Sequence, residues 1–259
     1  MARMKQRSSH IRRMAPFDTI ILLTGPIEQT ALSALLRNHN PGLSFLTANS
    51  LAELEALTPA QLRRARLISF VTPVIVPGYI LAQLGFGAYN FHPGPPHYPG
   101  WMPSHFAIYD CAKEFGATAH VMVKRVDAGP IVAVDLFDVP QNASVTGLEQ
   151  MAYARLARLF WNLGAELANE REALPELPIH WRGPKCTKRR FTELCNIPAD
   201  ISPDELERRL HAFGAGIGGI GPTVTLHGQQ FAYSAAKPDV QREAPAAATE
   251  PKARLELAS

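Results

Sequence analysis

Residues 87–101 read GAYNFHPGPPHYPGW and residues 116–131 read GATAHVMVKRVDAGPI. The apolar run that leads to Asn90 predicts a buried strand. Asn90 and His92 stand at its C-terminal end, and alternation along a strand puts both side chains on one face. The ladder stops there, because Pro93, Gly94, Pro95 and Pro96 cannot continue it and form a rigid loop. Asp127 comes thirty-five residues after His92, just past a second β-like run over Ala119 to Val126. An amide, an imidazole and a carboxylate are thereby expected to converge at the strand ends of one open sheet, where α/β proteins bind their ligands.

Upstream, FDTIILLT from Phe17 reads as a first buried strand ended by Gly25 and Pro26. Ala31, Leu32, Leu35 and Leu36 have helical spacing. Leu51 to Arg66 reads as a helix, ARLISFVT as another buried strand, and Gly78 to Leu84 as a short helix. Downstream, Pro103 suits the first turn of a helix running to about Glu114, and Ile131 to Val139 reads as a strand. Thr146 to Ala168 is the largest helix, with Leu148, Met151, Leu156, Leu159, Phe160, Leu163 and Leu167 forming a broad apolar face. Strands alternating with helices through short connections predict an α/β fold, a doubly wound, mostly parallel, Rossmann-like sheet. A small C-terminal α+β module should follow: a hairpin-like segment, a helix at Ser202 to Phe213, a Gly-rich turn and one or two strands through Tyr233. The expected division is a mobile basic tail over 1–15, a catalytic domain over 16–172, the small module over 173–237 and a disordered Ala, Pro and Glu-rich tail over 238–259.

The 259 residues are 46% hydrophobic and 19% charged, as in a soluble globular protein. No apolar run approaches the roughly 20 residues needed to span a bilayer, and the N-terminus lacks the apolar core of a secretory signal. A cytoplasmic location is expected. Cys111, Cys186 and Cys195 form no close pair, so neither a disulfide framework nor a metal site is indicated. A net charge of +3 is too small to argue for nucleic acid by itself. Gly216–Gly221 matches GxGxxG, but a helix precedes it and a strand follows, the reverse of a dinucleotide fingerprint, so it reads as a flexible turn. Arg182, Lys185, Lys188, Arg189 and Arg190 form a basic run, read either as a solvated face or as a contact for an anionic substrate portion. Trp181 is assigned to that surface or to a small-domain core.

NFHPGPPHYPG followed by GATAHVMVKRVDAGPI resembles the folate-dependent formyltransferases, the group that includes glycinamide ribonucleotide, methionyl-tRNA and sugar-amine formyltransferases. The resemblance covers roughly residues 17–140. It implies Asn90, His92 and Asp127 as catalytic residues, with Gly129 completing Asp–x–Gly, and N10-formyltetrahydrofolate as the formyl donor. It also implies a pterin pocket at Thr72, Val74, Val76, Arg125 and Val126. His120, with Thr118, fits a Thr–x–His pattern and is read as a supporting residue. One departure stands out: Gly94, Pro95 and Pro96 replace the Ser–Leu–Leu–Pro often found in the family, which leaves a formyl-CoA donor open.

Those residue types suit the chemistry. Formyl transfer to an amine develops an oxyanion that needs donors already in place, here the Asn90 amide and a protonated His92. The attacking nitrogen must lose a proton, and Asp127 can take it. By size, the short C-terminal segment matches the sugar-amine enzymes best. The expected partner is therefore a small-molecule amine, a nucleotide-linked amino sugar, rather than tRNA or another nucleic acid. A formyl-folate hydrolase and a non-catalytic folate-binding module are the rival readings. A homodimer through Phe191, Leu194 and Phe213 is expected by analogy with relatives.

Overall fold

The computed structural model describes residues 16–234; the two tails at 1–15 and 238–259 lie outside the described residues. A six-stranded sheet is built from β1 (Thr19–Leu23), β2 (Ser44–Ala48), β3 (Ala65–Phe70), β4 (Ala88–His92), β5 (Glu114–Val121) and β6 (Ile131–Asp138). Its order is β2-β1-β3-β4-β5-β6. The first four strands pair in parallel, and β5 and β6 join antiparallel. The fold is thus the expected mostly parallel α/β sheet.

Alternation along the central strands divides the core. Ile20, Leu22, Ile68, Phe70, Tyr89 and Phe91 face α1 (Pro26–His39) and α6 (Val145–Asn169). Ile21, Leu23, Leu67 and Ala88 point to the other side, where α2 (Leu51–Glu55), α3 (Pro59–Arg64) and α4 (Gly78–Leu81) pack. Helices therefore cover both faces, and the strands between them read as near-continuous apolar runs.

Several boundaries differ from the sequence reading. The single helix expected over Leu51 to Arg66 is two. Pro59 cannot sit inside a helix without losing a hydrogen bond, and Thr58 and Gln61 form a capping box that starts α3 there. Helix α5 (Pro103–Tyr109) ends before Glu114, because Cys111 takes a left-handed φ of 53°. Strand β5 begins at Glu114 and ends at Val121, so Met122 to Val126 is loop.

After α6 the chain forms α7 (Lys188–Cys195), β7 (Asn196–Ile197), α8 (Pro203–Phe213), β8 (Thr223–Leu226) and β9 (Gln229–Ala232). The segment read as hairpin-like is helix α7, started by the Thr187 side chain, which accepts the Arg190 N–H. Phe191 and Phe213 are fully buried in one cluster with Phe106, Phe115 and Leu148, and Leu194 packs against it. These residues fill the chain's own core, which removes them from the dimer surface expected of them. The GxGxxG match is a tight turn: Ile217 and Ile220 exchange backbone hydrogen bonds of 2.7 and 2.9 Å. Gly218 and Gly219 at its tip have φ of 55° and 79°, the geometry of a two-residue hairpin turn that glycine adopts without strain.

One charge lies inside the apolar layers. Arg66 on β3 is fully buried and donates to the carbonyls of Phe86, Leu167, Glu170 and Glu172 at 2.8–3.1 Å, and to that of Glu166 at 3.3 Å. Of these, Leu167 and Glu170 lie at the C-terminal end of α6, where carbonyls lack a partner within the helix and the dipole is negative, while the Glu166 carbonyl also accepts the Glu170 N–H.

Candidate active site

Asn90 and His92 share a face of β4, as alternation requires. The antiparallel register with β5 sets His120 directly opposite Asn90 and Thr118 opposite His92. A register shift between β5 and β6 falls at Ala119/His120, and such bulges commonly re-aim a side chain beside an active site. Asp127 arrives on the loop after β5, with φ of 45°. Gly129 allows that loop to close, since a Cβ there would lie 2.0 Å from the Val121 carbonyl oxygen.

The structure brings Asn90, His92 and Asp127 together. Asp127 Oδ1 lies 3.4 Å from Asn90 Nδ2 and 3.2 Å from His120 Nε2. Its Oδ2 lies 3.5 Å from His92 Nδ1 and accepts the Gly100 backbone N–H at 2.7 Å. Burial by itself would raise the Asp127 carboxyl, but the His92 charge, the His120 hydrogen bond and the Gly100 N–H more than reverse it and hold the group at about 2. The Gly100 N–H donates whatever the state of His92, so the carboxylate is the form present at neutral pH.

His92 is buried, and burial pushes its imidazole below the ordinary value despite the neighbouring Asp127. Its Nε2 donates to the Tyr98 carbonyl at 3.0 Å. This alters the expected role, because the resting ring favours the neutral form rather than the imidazolium. Space around it is tight: a Cβ on Gly94 would lie 2.6 Å from Nε2.

His120, read from the sequence as a supporting residue, touches both Asn90 and Asp127. Its Nε2 is 3.1 Å from Asn90 Nδ2, while Nδ1 donates to the Val121 carbonyl at 2.9 Å. The signal was parity, since His120 pairs with the strand position that bears Asn90. Trp181 belongs to neither environment assigned to it. Its ring meets His120 at 5.0 Å and His92 at 5.7 Å between centroids, edge to face.

A cavity of about 620 Å³ opens in front of these groups. Asn90, His92, His120 and Asp127 line it together with Thr72, Val74, Val76, Arg125 and Val126, the five positions expected around a pterin. Val71 and Met102 also line it, and both hold left-handed φ, 44° and 54°. Such strain in non-glycine residues gathers at functional sites. Lys124 and Arg125 line the cavity and are exposed. Of the basic run, Arg182, Lys185, Lys188 and Arg189 are exposed, while Arg190 lies over the Phe106 ring at 5.0 Å. Among the described residues no group of three or more His, Cys, Asp or Glu side chains is placed to hold a metal ion.

Residues 37–157 match the family model described as formyl transferase. The chain is thereby matched over less than half of its length. It is 32% identical over 114 residues to the methionyl-tRNA formyltransferase of Listeria monocytogenes serotype 4a (strain HCC23), an alignment covering 44% of this chain and 35% of that one. The chain thus spans about a third of the length of the curated relatives it matches. In fold, the six-stranded sheet with its helices and the C-terminal segment are similar to a sugar N-formyltransferase from Shewanella sp FDAARGOS_354, with a TM-score of 0.69 at 16% identity over 84% of this chain and 96% of that one. They are also similar to the N-formyltransferase from Helicobacter canadensis, solved in complex with folinic acid and dTDP-3-aminofucose, with a TM-score of 0.56 at 16% identity over 76% and 80% of the two chains.

Proposed function

We propose that this protein is an N-formyltransferase that moves a formyl group from N10-formyltetrahydrofolate to the primary amine of a nucleotide-linked amino sugar, with residues 16–172 as its catalytic domain and 173–237 as a small module. The observation that carries the reading is the convergence of Asn90, His92 and Asp127 in the lining of one cavity that Thr72 to Val76 also line. That cavity has the size of a site for a small ligand, and its mixture of apolar side chains and loop backbone suits a flat heterocycle.

The folate supplies an activated formyl group when bound. Asp127, ionised and fixed by Gly100, takes the proton that the attacking amine must lose. The Asn90 amide donates to the oxygen charge that develops as the amine adds to the formyl carbon. In the resting arrangement its N–H groups face His120 Nε2 and Asp127 Oδ1, so one must turn toward the substrate. His92 is kept in place by the Tyr98 carbonyl through Nε2, and its Nδ1, 3.5 Å from Asp127 Oδ2, pairs with that carboxylate only when the ring takes a second proton.

The acceptor class is supported by Lys124, Arg125 and Lys185, exposed basic side chains around the Asp127 loop that suit a diphosphate, and by the dTDP-sugar bound in the Helicobacter canadensis protein. The sequence relatives favour a second reading, transfer to methionyl-tRNA. Three free cysteines fit a cytoplasmic setting, and a homodimer belongs to the same proposal. The test mixes the purified protein with N10-formyltetrahydrofolate and a panel of nucleotide-linked amino sugars and methionyl-tRNA, following folate release and acceptor mass. One added formyl group on an amino sugar is the expected result. Formylated methionyl-tRNA alone favours the second reading, folate release without a modified acceptor indicates a hydrolase, and transfer only from formyl-CoA replaces the donor.

A further inference from the structure

The segment after α6 returns to the site and crosses two of its loops. The Arg182 N–H donates to the Pro96 carbonyl at 2.8 Å, and the Cys186 N–H to the Pro99 carbonyl at 2.7 Å. The Trp101 N–H donates back to the Cys186 carbonyl at 2.9 Å, so Gly100 and Cys186 form a parallel bridge. The loop bearing Asp127 is gripped on both sides. Lys185 Nζ donates to the Val126 carbonyl at 3.2 Å, and Trp181 Nε1 to the Gly129 carbonyl at 2.8 Å.

Two glycines make the approach this close. A Cβ on Gly100, whose φ is 108°, would lie 2.3 Å from the Cys186 carbonyl oxygen. A Cβ on Gly183, whose φ is 70°, would lie 2.5 Å from that of His97. No side chain fits at either point, and both backbones favour glycine.

We propose that Trp181–Cys186 is a positioning strap for the active site, in which Trp181 sets the Asp127 loop and covers the two imidazoles. The proposal rests on the formyl-transfer reading for its catalytic consequence, but not for its structural one. The strap acts through other groups. By fixing Pro99 to Trp101 it fixes the Gly100 N–H, which in turn holds Asp127 Oδ2. By holding Val126 and Gly129 it maintains the left-handed backbone of Asp127 between them. By lying against His92 and His120 it keeps water from the rings that face Asp127. A site assembled mainly from residues 69–127 is thus completed by a segment beyond α6.

Three variants test this. Trp181→Phe keeps an aromatic cover but removes the N–H, and Lys185→Met removes the other grip. Each should lower kcat by about tenfold while leaving the donor KM within about twofold, because a misplaced catalytic group affects the reaction more than the binding. In both, the backbone amides of Ala128 and Gly129 should exchange with solvent faster than in the parent protein. Trp181→Leu, which opens the rings to water, should move the His92 imidazole titration, followed by NMR, to higher pH. The amide and imidazole readouts need no substrate. If they respond while the parent protein transfers no formyl group, the strap stands and the functional reading falls. If the parent transfers formyl groups and Trp181→Phe and Lys185→Met, both folded, match it in kcat and in amide exchange, the strap is overturned.

Discussion

Asn90 and His120 face one another across β4 and β5, with Nδ2 and Nε2 3.1 Å apart. The same His120 nitrogen lies 3.2 Å from Asp127 Oδ1. With Nδ1 donating to Val121, a neutral His120 offers Nε2 as an acceptor to Asn90, whereas a protonated one donates to Asp127. A proton on that nitrogen therefore exchanges its partner. Loss of the ring should disturb Asn90 and Asp127 together, so His120→Ala should reduce kcat by about tenfold to a hundredfold, within the range for a mispositioned catalytic geometry. The measurement is steady-state kinetics on the donor and acceptor found by the substrate panel, with Asn90→Ala and the double variant completing a cycle. Independent, additive effects would argue against the shared arrangement.

Asp127→Asn keeps the size of the side chain and removes its charge. The Gly100 N–H still finds an oxygen, so the loop should persist. The amide cannot take a proton from the amine, and turnover should fall by about 10²–10⁴-fold, the usual contribution of a general base. Donor binding, measured by calorimetry, should change little. A variant that binds the donor and turns over at the parent rate would remove Asp127 from the proton-transfer role.

Gly94→Ala probes the space beside His92. Its new methyl group would stand 2.6 Å from Nε2 and 2.9 Å from the Pro103 side chain, and neither a packed ring nor a proline moves without displacing neighbours. A loss of about 1–3 kcal/mol is expected from such overpacking, together with lower kcat as the imidazole leaves Tyr98. Urea unfolding and kinetics on one preparation check both; unchanged values in each would show that the loop yields freely.

Stability should fall as pH drops below neutrality. His92 and His105 are both buried, and burial lowers both imidazoles below their ordinary value of 6.5. Between that value and the lowered folded one, the unfolded chain binds more protons than the folded one, so stability rises with pH across this window and is fully present above it. Asp127, at about 2 against an ordinary 3.8, adds a second loss as pH falls through about 4 toward 2. Urea midpoints at pH 7.5, 6 and 5 measure the first window. His105→Gln should flatten the slope, and an unaltered slope would exclude that ring as a contributor.

Much of the fold was legible because β1, β3 and β4 are apolar runs ended by glycine or proline, and α6 carries its apolar face over its whole length. The β5 start was not. Gly116 sits inside that strand because a Cβ would lie 2.3 Å from the Asp135 carbonyl oxygen, yet in sequence a glycine reads as a break. Strand β2 shows only a short SFLTA run at the sheet edge, with few buried positions. At the site, Asn90, His92 and Asp127 were readable from spacing and resemblance, whereas Trp181 was not. Its relation to His92 and His120 comes from chain return over many residues, which leaves no local pattern.

Arg66 was also hidden, as a charge within ARLISFVT gives no sign of its partners. It lies 4.8 Å from the Phe17 ring centroid and 5.4 Å from that of Tyr89, and its donors satisfy carbonyls at the end of α6. Replacing a buried ion pair by apolar groups is often harmless, but these acceptors are backbone and cannot be replaced with it. Arg66→Met should therefore leave carbonyls unpaired and destabilise by about 3 kcal/mol, the cost of losing charged hydrogen bonds at buried groups. Arg66→Lys, with a charge but no planar fork, should recover only part of that. Urea unfolding of the three proteins decides the matter. Equal stability of the methionine variant would mean that the end of α6 finds water, and that the guanidinium is not what holds it against β3.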